Sequence, residues 1–389
     1  MATNDLSFYL HIPYCVKRCG YCDFNTYTPA ELKIESSLNV ISTSYIDLLI
    51  EELKQARKVS TATRIPTIFL GGGTPSLMAP EDLGRAISFL SSEFELAKDC
   101  EVTIEANPDT ITREKLEGFL KAGINRISFG MQSAVPHVLA TLDRTHNPEN
   151  VAKSAQLARE VGFNEISVDL IYGTPGESVA DWQTSIDAAL AMPVTHISAY
   201  ALIVETGTKL AAAIKRGEIA EPDDDLMAEK YLLADEAFSK AGMEWYELSN
   251  WAKPGSQARH NIAYWVGANW WGAGPGAHSH IDGRRWWNVK HPNAYRERIE
   301  AGQSPEHGFE LLTAEEKEME RVLLQIRIPA GLKVDEFTGR QIALLNGYRE
   351  RGALDEGAWE LGNLTLSREG RLIADAIVRD LSMSQDEGL

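Results

Sequence analysis

The sequence is short of positive charge, of long apolar runs and of cysteine, and each shortage excludes something. Its 389 residues carry 38 Lys and Arg against 56 Asp and Glu, a formal net charge of −18. Phosphate contacts need a surplus of cations, so nucleic acid is not expected as a partner. No stretch reaches the ~18 apolar residues of a membrane-spanning helix, and the opening MATNDLSFYL lacks the basic and apolar segments of a secretion signal. The expectation is a cytoplasmic protein with no stable membrane insertion. Cysteine occurs only four times. In a reducing compartment clustered cysteines point to metal or redox chemistry rather than to a structural disulfide. Heptad and low-complexity bias are also missing; 44% hydrophobic and 24% charged residues are the proportions of an ordinary globular chain. Only the tail, residues 383–389, reads as flexible.

The length exceeds the ~100–200 residues of one domain, which favours a large domain with a smaller companion. Six β-rich runs recur, SFYLHIP, PTIFLGGG, EVTIEANP, NRISFGMQS, NEISVDLIYG and VTHISAYAL. Between them lie stretches with apolar residues at helical spacing, such as PEDLGRAISFL and NPENVAKSAQLAREVG. Strand alternating with helix predicts parallel βα units closing into an open six-stranded sheet or a partial barrel. From about Asp223 the pattern changes to a long helix ending at Gly242, then to a Trp-, Gly- and His-rich stretch from Trp245 to His291. The remainder reads as helices with a short hairpin, NLTLSREG, the pattern of a small winged-helix-like domain. Its wing suggests DNA, but the acidic balance favours a lid or docking module.

In parallel βα architectures ligands bind where the strands finish. The first run leads into Cys15, Cys19 and Cys22, spaced CxxxCxxC, and the second into Gly71-Gly72-Gly73-Thr74-Pro75. The third ends at Glu105, the fourth at Gln132, the fifth carries Asp169 and the sixth ends near Tyr200. Residues chosen for packing would scatter over both ends, so this coincidence predicts one ligand pocket. A triple glycine serves where backbone must approach a ligand without a Cβ in the way. Structural zinc takes four ligands and catalytic zinc usually three with a water. A four-iron cluster has one metal per corner, so three thiolates leave one iron open. His11 follows a period-2 strand, where its ring is expected to pack or orient, and Cys100 reads as a small buried core residue.

CxxxCxxC after the first strand, with GGGTP, resembles the radical S-adenosylmethionine (SAM) enzymes. That resemblance implies a [4Fe–4S] cluster on Cys15, Cys19 and Cys22 whose open iron is chelated by SAM, and an electron donor for the cluster. It turns the fold expectation into an α/β, partial (βα)6 TIM-like radical SAM barrel over residues 1–222. A helical and Trp/Gly/His-rich connecting region follows over 223–305 and a small, mainly helical C-terminal domain over 306–382. YLHIPYCVKRCGYCDF, GGGTPS, GMQS, DLIYGTPGES, HNIAYW and GAGPGAHS are similar to the oxygen-independent coproporphyrinogen III oxidase subfamily over almost the whole chain. The oxidase proper carries a further cysteine two positions after the third ligand and a long N-terminal extension. Here Phe24 stands at that position and few residues precede the first strand. Both departures resemble the haem chaperone branch, HemW, whose members bind haem and pass it to acceptor proteins.

Carried over by position, the resemblance implies SAM contacts at Tyr9, Gly72, Gly73, Thr74 and Glu105. Tyr21, Gln132, Arg144 and Asp169 match positions that serve a second SAM in the oxidase, and the resemblance leaves them here to a second SAM, to the first SAM or to a haem pocket. Haem needs an apolar pocket, cations for its propionates and a ligand for its iron. Seven of the nine tryptophans fall between Trp245 and Trp287, with Arg259, His260, His278, His280, Arg284 and Arg285 interspersed. HNIAYW, with His260, Asn261, Tyr264 and Trp265, matches the chaperone signature and is the expected haem-linked segment, His260 being the first candidate ligand. His278 has a competing role in closing a loop over SAM. His137, His146, His196 and His307 are read as surface or satisfied core residues. The expected function is haem delivery to acceptor proteins, membrane-associated respiratory ones among them. The alternative is a radical SAM coproporphyrinogen III dehydrogenase, and a zinc-dependent binding module stands third.

Overall fold

A computed structural model describes residues 4–33 and 38–386. Its centre is one twelve-stranded mixed sheet. In chain order the strands are β1 (Ser7–Ile12), β2 (Arg64–Gly72), β3 (Glu95–Ala106), β4 (Arg126–Gln132), β5 (Glu165–Tyr172), β6 (His196–Ala201), β7 (Glu244–Glu247), β8 (Asn250–Ala252), β9 (Trp270–Ala273), β10 (His278–Ile281), β11 (Arg284–Asn288) and β12 (Glu306–Leu311). The order across the sheet is β12-β11-β10-β9-β1-β2-β3-β4-β5-β6-β8-β7. β9 and β1 to β6 are mutually parallel, whereas β10, β11 and β12 on one flank and β8 and β7 on the other pair antiparallel. The sheet is open, and the six expected parallel strands form its middle.

Period-2 alternation decides what each central strand contributes. Phe8, Leu10 and Ile12 of β1, Ile68 and Leu70 of β2, and Ile166, Val168 and Leu170 of β5 are fully buried in the core. That core also takes in Leu49 and Leu53 of the helix Leu38–Val59 and Leu83 of the helix Pro80–Glu93. The intervening residues, Tyr9, Phe69, Glu105, Ser128 and Asp169 among them, face a concave cavity on the other side. Helix starts are marked by side-chain caps: Thr112 accepts from Lys115 N, Asn147 from Glu149 N, and Ser178 forms a capping box with Asp181.

One expectation needs correction and two gain detail. The Trp-rich stretch is not merely a connection, because its residues build β7 to β11 and widen the sheet on both sides. NLTLSREG is not a hairpin. Asn363–Leu364 (β14) pairs with Leu332–Lys333 (β13), and Ser367 then caps a helical turn at Arg368–Arg371 by accepting from Gly370 N. Of the supposed flexible tail, residues 383–386 continue the helix Ala374–Asp386 and 387–389 lie outside the described residues. Among the described residues no helix is long and apolar enough to cross a membrane.

The C-terminal helices have their own apolar cluster, including Ile326, Leu345, Leu364, Ile377 and Leu381. They are tied to the sheet through Asp235 of the helix Asp224–Lys240. Its carboxylate accepts from Trp251 Nε1 at 2.8 Å and pairs with Arg371 at 2.9 Å and Arg368 at 2.5 Å. The Arg371 guanidinium also covers the Trp245 ring at 3.7 Å.

The same helix is locked to the loop after β5 by a fully buried ion pair. Lys230 Nζ donates to Glu177 Oε2 at 2.8 Å and to Glu177 O at 2.7 Å, and Gly173 N donates to the same carboxylate at 2.9 Å. Removing one partner strands the other charge. Lys230→Met is therefore expected to lower stability by about 3–5 kcal/mol in denaturant unfolding, and adding Glu177→Gln to recover most of the loss.

Candidate cofactor site

A cavity of ≈ 820 Å³ opens at the C-terminal edge of the parallel strands. Cys15, Cys19 and Cys22 line it from the loop after β1, and Gly72, Gly73 and Thr74 from the end of β2. Glu105, Gln132, Asp169 and Tyr200 follow from β3 to β6, with Arg144 from the loop beyond β4. Every expected SAM residue thus faces one space.

The cysteine loop is fixed at its base. The His11 ring bonds the Tyr9 hydroxyl through Nδ1 at 3.0 Å and the Asn25 carbonyl through Nε2 at 2.9 Å, so it orients the loop instead of facing a ligand. Burial brings its pKa down to about 4, keeping the ring neutral. Cys15 N donates to Tyr27 O at 3.0 Å and Tyr27 N to Pro13 O at 2.7 Å, closing the loop. Asn25 Nδ2 then reaches across to the Gly274–Ala277 turn, donating to Pro275 O at 2.9 Å and to Lys290 O at 2.8 Å. That turn is held from beneath by Glu52, fully buried and pushed up to about 7 by its burial, which accepts from Gly274 N at 2.7 Å, Asn288 Nδ2 at 2.7 Å and Tyr295 OH at 2.6 Å.

The glycines have a more local reason than sequence reading supplied. Gly73 N donates to Ile12 O at 2.7 Å and Thr74 N to Tyr14 O at 2.8 Å, lacing the end of β2 to the cysteine loop. A Cβ on Gly73 would stand 2.6 Å from Tyr14 O, and one on Gly72, where φ is +113°, would stand 2.5 Å from the His11 ring. The close neighbour is thus the thiol-bearing loop itself.

The three thiols lie within one another's electrostatic field, and burial holds Cys15 above its usual range and Cys22 up at about 11. Thr74, whose Oγ1 donates to Cys15 Sγ at 3.7 Å, and the nearby Arg144 charge oppose the rise at Cys15. Arg144 Nη1 also donates to Cys19 Sγ at 3.4 Å. Arg144 is in turn anchored by donating to Gly130 O at 2.8 Å. Opposite them, burial, then Asp169, drives Glu105 up to about 8, and its one backbone donor, Gly72 N at 3.0 Å, opposes this. Glu105 has no ion-pair partner among the described residues. Asp169 is likewise raised by burial while Ser128 Oγ donates to both its oxygens at 3.1 and 3.0 Å. Gln132 ends β4 at a register shift with φ of 63°, a left-handed conformation costing a non-glycine residue about 1–3 kcal/mol, and its buried side chain lines the cavity. Soft thiols on one side and a part-buried carboxyl without an ion-pair partner on the other fit an iron–sulfur cluster with a cationic organic ligand.

The HNIAYW helix, Arg259–Trp265, brings His260, Asn261 and Tyr264 to this cavity but not Trp265. His260 has no nitrogen to spare for iron. Its Nδ1 bonds Thr67 Oγ1 at 2.7 Å and its Nε2 bonds the Tyr264 hydroxyl at 2.9 Å, while burial lowers its pKa to about 3. The geometry corrects the ligand expectation to an orienting one. The expected propionate partners Arg259, Arg284 and Arg285 are engaged by Asp99, Glu306 and Glu310. Among the remaining histidines, His196 bonds Tyr246 OH at 2.7 Å in the interior. His146, read as unremarkable, lines the cavity and is brought down to about 4 by burial and by Arg144. Cys100 is buried in the core. Arg126 and Ser128 also line the cavity and went unnoticed in the sequence; counting back by twos from Gln132 along β4 finds both.

Fold and thiol-lined cavity together define a radical SAM protein, and comparison with known proteins agrees. Residues 9–189 match the model of the Radical SAM superfamily. Heme chaperone HemW of Mycobacterium tuberculosis (strain ATCC 25618 / H37Rv) is 47% identical over 381 residues, spanning 98% of this chain and 96% of that protein. Heme chaperone HemW of Bacillus subtilis (strain 168) is 32% identical over 95% of this chain and 97% of its own. The solved coproporphyrinogen III oxidase (HemN) of Escherichia coli, described as a radical SAM enzyme, shares the fold with a TM-score of 0.81, covering 99% of this chain and 91% of that chain at 20% identity. The chain belongs to the radical SAM superfamily and, within it, to the HemW family.

Because Gly73 abuts backbone, Gly73→Ala must displace the cysteine loop. The expected cost is about 1–3 kcal/mol in denaturant unfolding, with faster labelling of Cys15 by a thiol reagent in the metal-free protein.

Proposed function

We propose that this protein is a cytoplasmic haem chaperone that holds a [4Fe–4S] cluster on Cys15, Cys19 and Cys22, binds SAM beside it and hands haem to acceptor proteins. The observation that carries the reading is the convergence of three thiols and the unpaired Glu105 on one cavity, in a chain 47% identical over nearly its whole length to a protein named heme chaperone. When bound, the cluster supplies an open iron and an electron, which calls for an electron-donor protein. The chain's own residues do the rest. Gly72, Gly73 and Thr74 offer a side-chain-poor strand end, Tyr9 and Tyr264 wall the space, and Glu105 presents a carboxylate to a cationic ligand. Arg144 balances thiolate charge next to Cys19. Phe24, 59% exposed, stands at the cavity where the oxidase has its further cysteine, which supports delivery over porphyrinogen oxidation. Acceptors include membrane-associated respiratory proteins.

Anaerobic reconstitution with iron and sulfide, followed by hemin and a haem-free acceptor, tests the reading. Wild type is expected to take up iron, show a haem absorbance band and transfer it. Alanine at Cys15, Cys19 or Cys22 should lose the iron–sulfur absorbance, and a wild-type protein binding neither cluster nor haem would refute the proposal.

A pH dependence follows from Glu105. With its pKa at about 8 in the ligand-free protein, the carboxyl is mainly protonated below that pH, and a cationic ligand has to ionise it. SAM affinity should rise as pH increases from 6 towards 8, by up to about tenfold per unit, then level off. Calorimetric titration of Glu105→Gln should show weaker binding with the slope removed.

A further inference from the structure

A second cavity, of ≈ 690 Å³, opens beside the first and shares with it Tyr9, Gly72, Glu105, Tyr264 and part of the cysteine loop, Phe24 included. Beyond these it is formed by Tyr27 from the cysteine loop, Trp270 from β9, His278 from β10, and Lys290. Its size is within the ~300–1,000 Å³ of small-molecule sites, and it combines aromatic faces with two cations, Arg18 and Lys290, and two imidazoles, His11 and His278; Arg18 is paired with Glu31 at 3.5 Å and both His11 nitrogens are bonded, which leaves Lys290 and His278.

Most of the basic groups that sequence analysis singled out in the Trp-rich stretch are committed elsewhere. Both nitrogens of His260 are bonded, His280 Nδ1 lies 3.3 Å from Ala268 O, and Arg259, Arg284 and Arg285 have carboxylate partners. His278 differs. It is exposed, and neither ring nitrogen has a hydrogen-bond partner among the described residues. Yet it is well placed: its carbonyl accepts from Trp270 Nε1 at 3.1 Å and its ring stacks on Trp287 at 5.9 Å with an interplanar angle of 28°. The Lys290 ammonium, also exposed, has no ion-pair partner among the described residues, and the Lys290 carbonyl is fixed by Asn25. A neutral imidazole held by its neighbours, with its nitrogens free, is a ready metal ligand.

We infer that this second cavity is where the iron porphyrin docks, with a ring nitrogen of His278 on the iron, Phe24 and Trp270 against the macrocycle and Lys290 on a propionate. This rests on the haem-carrying reading above and assigns it a place adjoining the thiol-lined cavity. Cargo and cluster ligand are then neighbours that share Tyr9, Gly72, Glu105 and Tyr264 as lining.

Titration of the cluster-loaded protein with hemin, followed by absorbance and by electron paramagnetic resonance, tests the assignment. A parallel arm uses iron-free protoporphyrin followed by fluorescence quenching. His278→Ala should shift the haem band and weaken hemin binding at least about tenfold, the equivalent of 1.4 kcal/mol, while leaving iron-free porphyrin unaffected. Lys290→Glu should weaken both porphyrins, and His278→Cys should replace the imidazole signature with a thiolate one. Retained iron–sulfur absorbance in each variant shows that the fold is intact. If wild type binds hemin and His278→Ala leaves band position and affinity unchanged, the ligand assignment is overturned while haem carriage stands. If wild type binds no hemin at all, both fall.

Discussion

Parallel strands cannot be joined by tight turns, so each crossover must carry the chain back along the sheet and release the next loop at the same edge. Seven strands of this sheet obey that constraint, β9 and β1 to β6. The thiol loop, the glycine strand end, Glu105, Gln132 and Asp169 are neighbours for this reason, although 154 residues separate Cys15 from Asp169 (169 − 15). Alternation across the pleat supplies the second half of the arrangement. The same strands that bury Phe8, Leu10 and Val168 on the helical side present Tyr9, Glu105 and Asp169 on the other.

A sheet built this way places carboxyls where water is scarce. Glu52 and Glu247 are buried and Glu105 is part-buried on the cavity wall, and desolvation pushes all three upward, Glu247 to about 7. They are used differently. Glu52 satisfies three donors and works as a structural anchor under the Gly274–Ala277 turn, whereas Glu105 has one donor and faces open space. Burial alone does not mark a functional carboxylate; the count of partners separates the two.

Legibility in the sequence followed the range of the interactions involved. The six central strands could be read because strands buried by helices are runs of Val, Ile, Leu and Phe, and the ends of those runs named the site residues. The flanking strands β7 to β11 are three to five residues long, too short for a period to show. NLTLSREG failed at Ser367, whose capping bond stops a strand that its neighbours would otherwise extend. His260 is the most instructive case. Its motif correctly placed it at the cavity, but the group that occupies its Nδ1 is Thr67, 193 residues away, which no local pattern reveals.

Asn25 gives this architecture an order of assembly. Its side-chain amide holds the thiol loop to carbonyls 250 and 265 residues further along the chain, and β1 has β9 as one of its two parallel neighbours. During synthesis the cysteines are made early, but Pro275 and Lys290, whose carbonyls steady their loop, follow 250 and 265 residues after Asn25. The seat of the thiol loop is thus completed by the far flank of the sheet, so the loop's geometry depends on strands made late as much as on the strand it follows.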